Sequence, residues 1–143
     1  LDGRGCLVIK FDSGEEFVTN DLAEIKDADG FVGTKCGEFR ILGRIDHVII
    51  TGGRKVNPLD VERRISHLID RPFIVTSEPD CKWGRIVVLR IEGESADIDE
   101  TEGDGWKCRL HSALRDILQP YETPKEIEVV AQLPRTPNGK IKR

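Results

Sequence analysis

The chain has 143 residues, 34% charged and 38% hydrophobic, with 22 Lys and Arg against 26 Asp and Glu for a formal charge of -4. That balance excludes a disordered or fibrous chain and offers no basic excess for nucleic acid. No apolar run nears the ~18 residues of a spanning helix and no secretory leader is visible, so a cytoplasmic protein without a membrane partner is expected.

The length suits one modest domain, or a small domain plus a piece of a neighbour. The lack of any methionine, together with a strand-like start at Leu1, points to a piece of a longer chain.

Up to Leu42, short β-like runs alternate with turn signals: CLVIKF, DSG, EEFVTNDLAEI, DADG, FVG and EFRIL. This pattern predicts hairpins and no helix. After GRIDHVII and the pair Gly52 and Gly53, the segment PLDVERRISHLI is a predicted helix with Val61, Ile65, Leu68 and Ile69 on one face. Asn57 is placed to cap it, Pro58 suits its first position, and Asp60 puts a carboxylate where the helix dipole favours one.

FIVTS and GRIVVLRIE follow as strands. The acidic loop SADIDETEGDG leads into a second amphipathic helix, striped by Trp106, Leu110, Leu114, Ile117 and Leu118 and stopped at Pro120. YETPKEIEVV supplies a last strand before the tail PRTPNGKIKR. The fold class is α+β: a β-rich piece, then β-α-β-β-α-β, with two helices on a small three-stranded sheet and a hairpin beside it. The boundary falls near Gly43 to Asp46.

Cys6, Cys36, Cys81 and Cys108 stand singly with no C-x-x-C pair, as reduced and mostly buried thiols would. Cys108 and His111 have zinc-like spacing but no second ligand pair, and helix periodicity accounts for it. His47, His67 and His111 lack a nucleophile motif, so neither a triad nor a metal site is expected.

Four features resist a purely structural account, though each has an ordinary explanation. Gly52 and Gly53 are either a tight hairpin turn or a place where another molecule approaches the backbone. Arg44 and Asp46 in GRID are either a surface ion pair or part of a hinge. Asp21 in VTND follows a β-branched strand end, as a turn residue or as an acceptor for a diol. Lys140 is either a solvated tail charge or a point charge for phosphate or an oxyanion.

Taken together and in order, VTNDLAE, LGRIDHVIITGGRKVNPLDVE, PDCKWGRIVVLRIE, LQPYETPKEIEVV and PRTPNGKIKR resemble the C-terminal motifs of the adenylate-forming enzymes. These are the acyl- and aryl-CoA ligases, luciferases and adenylation domains of peptide synthetases. Asn20 stands where that family usually has glycine, which an αL turn at asparagine would tolerate, and Ile50 where a lysine is common. The I-I-T-G-G form resembles CoA ligases of the o-succinylbenzoate and medium-chain acyl type, the former implying menaquinone biosynthesis.

The resemblance implies a small C-terminal lid domain preceded by the β-rich tail of a large N-terminal domain. Residues 1–43 would end the large domain, 44–46 form the hinge and 47–143 the lid, and this chain alone would be inactive. Its partners would be its own N-terminal domain, a small carboxylic acid, ATP with Mg²⁺ held mainly by the absent domain, and CoA as acceptor. A carrier protein in place of CoA, or a non-catalytic binding module, are the alternatives.

Residue by residue, the resemblance implies Lys140 at the acyl carboxylate and α-phosphate, Asp21 at the ribose hydroxyls and Arg44 at the ribose or phosphate side. Asp46 would be the hinge, and Gly52 and Gly53 would leave room for the pantetheine arm of CoA. With no phosphate to meet in this chain, the Lys140 arm is expected to be mobile or poorly defined.

Overall fold

The computed structural model describes residues 1–26, 38–93 and 105–142, and the chain divides into two compact units, Leu1–Val48 and Ile49–Arg143. DADG, FVG, Cys36 and all of the acidic loop before Gly105 lie outside the described residues.

The first unit is an antiparallel sheet of β1 (Cys6–Lys10), β2 (Glu16–Lys26) and β3 (Glu38–Arg44), in that order. A turn closed by Phe11 N–H to Glu15 O at 2.9 Å joins the first two strands. Among the described hydrophobic residues of this unit only Cys6 and Ala23 are buried, while Phe11, Phe17, Phe39, Ile25 and Ile41 are exposed. Among the described residues of this unit no α-helix or second sheet covers the three strands, and each sheet face needs a second element to exclude water.

The second unit has such a core. β4 (Ile49–Thr51) and β5 (Arg54–Val56) form a hairpin across Gly52 and Gly53, whose φ of 53° and 76° favour glycine. α1 (Pro58–Ile65) follows, capped as expected by Asn57, whose side chain accepts the Leu59 N–H at 3.1 Å. The α-helix ends at Ile65 and continues as a 3-10 turn over Ser66–Leu68, shorter than the predicted PLDVERRISHLI. Ser66 Oγ donates to Arg63 O at 3.0 Å, a local bond that competes with the helical ladder.

β6 (Phe73–Asp80), β7 (Gly84–Glu92) and β8 (Glu126–Val130) form the main sheet with β7 central. β6 pairs with β7 antiparallel and β8 with β7 parallel. The parallel pair needs a crossover, and α2 (Gly105–Ile117) lies within it. β6 runs to Asp80, beyond the predicted FIVTS, and tolerates Pro79 because it is an edge strand.

The core gathers Val61 and Ile65 from α1, Val75 from β6, Val87, Leu89 and Ile91 from β7, and Leu114 and Leu118 from α2 and its end. Trp106, Leu110 and Ile117 pack against it, so the predicted stripe on α2 is the face that meets the sheet. Each fully buried aliphatic side chain contributes about 1.5–3 kcal/mol. No helix among the described residues is long and apolar enough to cross a membrane.

Candidate functional site

In the first unit the register places Asp21 directly opposite Arg44. Asp21 does not follow a strand end, as the sequence suggested; it lies inside β2, and so does Asn20, with no turn there. Cys6 pairs with Leu22 and Val8 with Val18, so Thr19, Asn20 and Asp21 together face Leu7 alone. Thr19 Oγ closes this bulge, donating to Leu7 O at 3.0 Å and accepting the Asp21 N–H at 3.1 Å. A second irregularity sits across from it at Gly43, where φ is 145°. Bulges re-aim the side chains beside them, here Asp21 and Arg44.

Arg44 grips Asp46 in a fork: Nε to Oδ1 at 3.0 Å and Nη2 to Oδ2 at 2.9 Å. Its Nη1 is 4.0 Å from Asp21 Oδ1. The ion pair expected of GRID is therefore present. The guanidinium beside Asp46 holds that carboxyl below the ordinary aspartate value, and Asp46 in turn keeps Arg44 charged.

In the second unit Gly52 and Gly53 form the tight turn of β4 and β5, and the turn is also one wall of a groove. Gly52 N–H donates to Trp83 O at 3.0 Å. Trp83 is held in turn by Asp80, whose Oδ1 accepts the N–H groups of Lys82 and Trp83 at 2.8 Å each. The groove, about 440 Å³, is lined by Thr51, Gly52, Arg54, Trp83, Tyr121 and Lys125 among others. The Arg54 guanidinium lies 5.8 Å from the centre of the Tyr121 ring.

Beyond Lys125 the lining continues to Arg115 and His111 on α2. Neither Lys125 nor Arg115 has an ion-pair partner among the described residues. A groove with two flat aromatics and unpaired cations suits a ligand carrying a planar ring and phosphates. None of Trp83, Tyr121, Arg54 or Lys125 stood out in the sequence. A signal existed in two aromatics each next to a turn, but only the fold brings them to one groove.

Lys140 is exposed, and its ammonium has no partner among the described residues. Its arm, expected to lack definition, has a hydrogen-bonded turn of its own. Thr136 N–H donates to Lys140 O at 2.7 Å, Gly139 N–H to Thr136 O at 2.8 Å and Lys142 N–H to Pro134 O at 2.7 Å. Arg135 and Ile141 form a bridge across it, and Leu133 at its root is 1% exposed. The sequence could not reveal this, because the root is fastened by Glu92 on a distant strand.

Cys81 and Cys108 are exposed and only Cys6 of the described cysteines is buried, so the expectation of mostly buried thiols fails. All three are free, and among the described residues Cys108 belongs to no cluster of potential metal ligands. Among the described residues Glu78, Glu126 and Glu128 form the cluster of carboxylates, and Arg90 already bonds both Glu78 and Glu128. Arg90 offsets part of the charge of that donor set.

No family model matches the chain. It is 32% identical over 134 residues to the mitochondrial acyl-coenzyme A synthetase ACSM4 of Homo sapiens, covering 91% of this chain and 21% of that protein. It is 33% identical over 128 residues to the 2-succinylbenzoate–CoA ligase of Listeria monocytogenes, covering 89% of this chain and 24% of that one. Among solved structures, an acyl-CoA synthetase (AMP-forming)/AMP-acid ligase II-like protein from Dyadobacter fermentans matches with TM-score 0.60 and 31% identity, over 100% of this chain and 38% of that one. The chain thus spans about a fifth to a quarter of the curated relatives it matches. These homologues and structural neighbours are AMP-forming acyl- and aryl-CoA synthetases, and the small α+β fold matches the C-terminal domain of such structures.

Proposed function

We propose that this chain is the C-terminal part of an AMP-forming acid–CoA ligase, a lid with the last strands of a larger domain before it. What carries the proposal is likeness along about nine-tenths of the chain to acid–CoA ligases. The first unit supports it, since a three-stranded sheet with exposed Phe17, Phe39 and Ile41 is what remains when a larger domain is cut away. Residues 1–43 would belong to that domain, 44–46 would turn, and the rest would move against it in a cytoplasmic enzyme.

In the first half-reaction an oxygen of the acid attacks the α-phosphorus of ATP, and the bond to pyrophosphate breaks, leaving an acyl-adenylate. Such transfers depend on positioning and on offsetting charge. Lys140 would face the carboxylate and α-phosphate, a role its unpaired ammonium suits. Asp21, offering only acceptors, would hold the ribose hydroxyls, and Arg44 would sit at the ribose or phosphate side. Magnesium would neutralise the phosphates from the absent domain.

In the second half-reaction the CoA sulfur attacks the acyl carbon and AMP leaves with the bonding electrons. The lid would turn about Asp46, withdrawing Lys140 and presenting Gly52 and Gly53 to the pantetheine arm. The groove of Arg54, Trp83, Tyr121 and Lys125 beside that turn would hold the nucleotide end of CoA.

Within this class we favour o-succinylbenzoate as the acid, which makes the enzyme part of menaquinone biosynthesis. The equal likeness to the ACSM4 synthetase favours a second reading, in which another acyl acid is used.

The test uses the full-length protein with Lys140→Ala. ATP–pyrophosphate exchange should fall by about 10²-fold or more while thioester formation from preformed acyl-adenylate persists. Unchanged exchange would refute the role of Lys140. A screen of o-succinylbenzoate against aliphatic and aryl acids for CoA-dependent turnover decides between the two acids.

A further inference from the structure

Chain termini are loosely held unless something ties them down. Here the arm bearing Lys140 is tied by one carboxylate on the last residue of β7, the central strand of the sheet. Glu92 Oε2 accepts the backbone N–H of Leu133 at 2.9 Å, which fixes the root of the arm. The same carboxylate accepts both contacts of Arg135 Nη2, at 3.0 Å and 3.2 Å. The other prong of Arg135, Nη1, donates to the carbonyl of Gly139 at 3.4 Å. Gly139 precedes Lys140, so a continuous line of contacts runs from the sheet to the residue before the ammonium.

We infer that Glu92 and Arg135 are positioning residues for Lys140, with the guanidinium fork transmitting the fixed position of β7 to the turn that carries the lysine. A planar fork can hold a carboxylate and a carbonyl together, which a single ammonium does less well. The pair is partly sheltered, with side-chain exposures of 35% and 22% for Arg135 and Glu92, so water competes less for these bonds than at an open surface. The Leu133 N–H, and then Arg135, hold the Glu92 carboxyl below its ordinary value, so it is charged at neutral pH. The inference rests on the proposed role of Lys140 in adenylation and adds that the arm arrives preformed. Misplacing a charge-stabilising group by about 1 Å costs on the order of 10²-fold, so partial loosening should cost less.

The experiment uses the full-length protein with o-succinylbenzoate and the acid that turns over best in the substrate screen. Glu92→Gln keeps an acceptor for Leu133 but loses the ion pair, and Arg135→Leu keeps the Glu92 bond to Leu133. Each should lower the adenylation kcat about tenfold with little change in KM for ATP, and should spare thioester formation from preformed acyl-adenylate. The double variant should fall no further than either single one, and neither change should slow adenylation further in a Lys140→Ala background.

Wild-type exchange in both variants, equal loss in both half-reactions, or a further loss on top of Lys140→Ala would each overturn the inference. A loss in Arg135→Leu with none in Glu92→Gln would also overturn it, assigning Arg135 to the substrate instead. If Glu92→Gln is insoluble, Arg135→Leu decides through its combination with Lys140→Ala, where a further loss overturns the inference and none supports it. If Lys140→Ala itself leaves adenylation intact, the proposed function of the lysine falls first and the inference with it, an outcome distinct from all the others.

Discussion

Gly52 and Trp83 are fitted to each other. The Gly52 N–H donates to Trp83 O at 3.0 Å, and a Cβ on Gly52 would lie 2.8 Å from Trp83 Cε3. Trp83 therefore lies against the glycine hairpin, and the turn is part of the groove wall rather than a neutral loop.

Gly52→Ala must strain a left-handed residue and displace an aromatic ring, whereas Gly53→Ala meets open space and pays for backbone strain alone. Expected losses are about 2–3 kcal/mol for the first and about 1 kcal/mol for the second by denaturant unfolding. In the full-length protein both changes should also weaken CoA use, since each adds a Cβ where the pantetheine arm would pass. Equal losses of stability at the two positions would remove the ring contact as the cause.

Lys125 and Arg54 line the groove from opposite elements, β5 for Arg54 and the segment before β8 for Lys125. Replacing either with alanine in the full-length enzyme should raise the KM for CoA about tenfold, the loss of one charge-assisted contact. Steady-state kinetics at varied CoA checks this, and the effect should weaken with added salt. An unaltered KM would take the groove out of CoA binding.

Asp2 accepts the N–H groups of Arg4 and Cys6 at 2.9 Å and 2.8 Å, and these bonds, the one from Cys6 foremost, bring its carboxyl down to about 2. A depressed folded value means the contribution is fully present above the unfolded value, about 4. It is lost as pH falls toward about 2. Asp2→Asn should therefore destabilise the first unit at pH 7 and make little difference near pH 2. A difference independent of pH, measured by denaturant unfolding at both, would contradict the charge of Asp2 as the source.

Asn57 and Leu114 test the second unit at its edge and its centre. Asn57→Ala removes the acceptor for Leu59 N–H and should cost about 1 kcal/mol. Leu114→Ala empties a site that is 0% exposed and should cost about 2–5 kcal/mol. Unfolding midpoints at constant m-value read both, and a smaller loss for Leu114 than for Asn57 would place the core elsewhere.

Much of the second unit was legible in its residues. The cap at Asn57, the turn at Gly52 and Gly53 and the apolar stripe from Trp106 to Leu118, like the fork between Arg44 and Asp46 in the first unit, all involve residues close in the chain. The errors have the same origin seen from the other side. Asp21 read as a strand end because Asn and Asp favour turns, yet a bulge closed by Thr19 and Leu7 absorbs them into β2. The cysteines read as buried from residue type alone, while Cys81 sits in a β-turn and Cys108 on the outer face of α2. The fastening of the arm went unread because its anchor, Glu92, is 43 residues from Arg135.

By itself, then, the sequence determined the type and order of most described elements, and the order of motifs that resembles a known family. Capping, apolar period and turn chemistry act over a few residues, so they can be read locally. Tertiary structure alone decided that Trp83 lies against Gly52, that Arg54 and Lys125 share a groove, and that Glu92 holds the arm of Lys140. Those meetings depend on strand register and sheet order, which arise only when distant segments bury their apolar faces together.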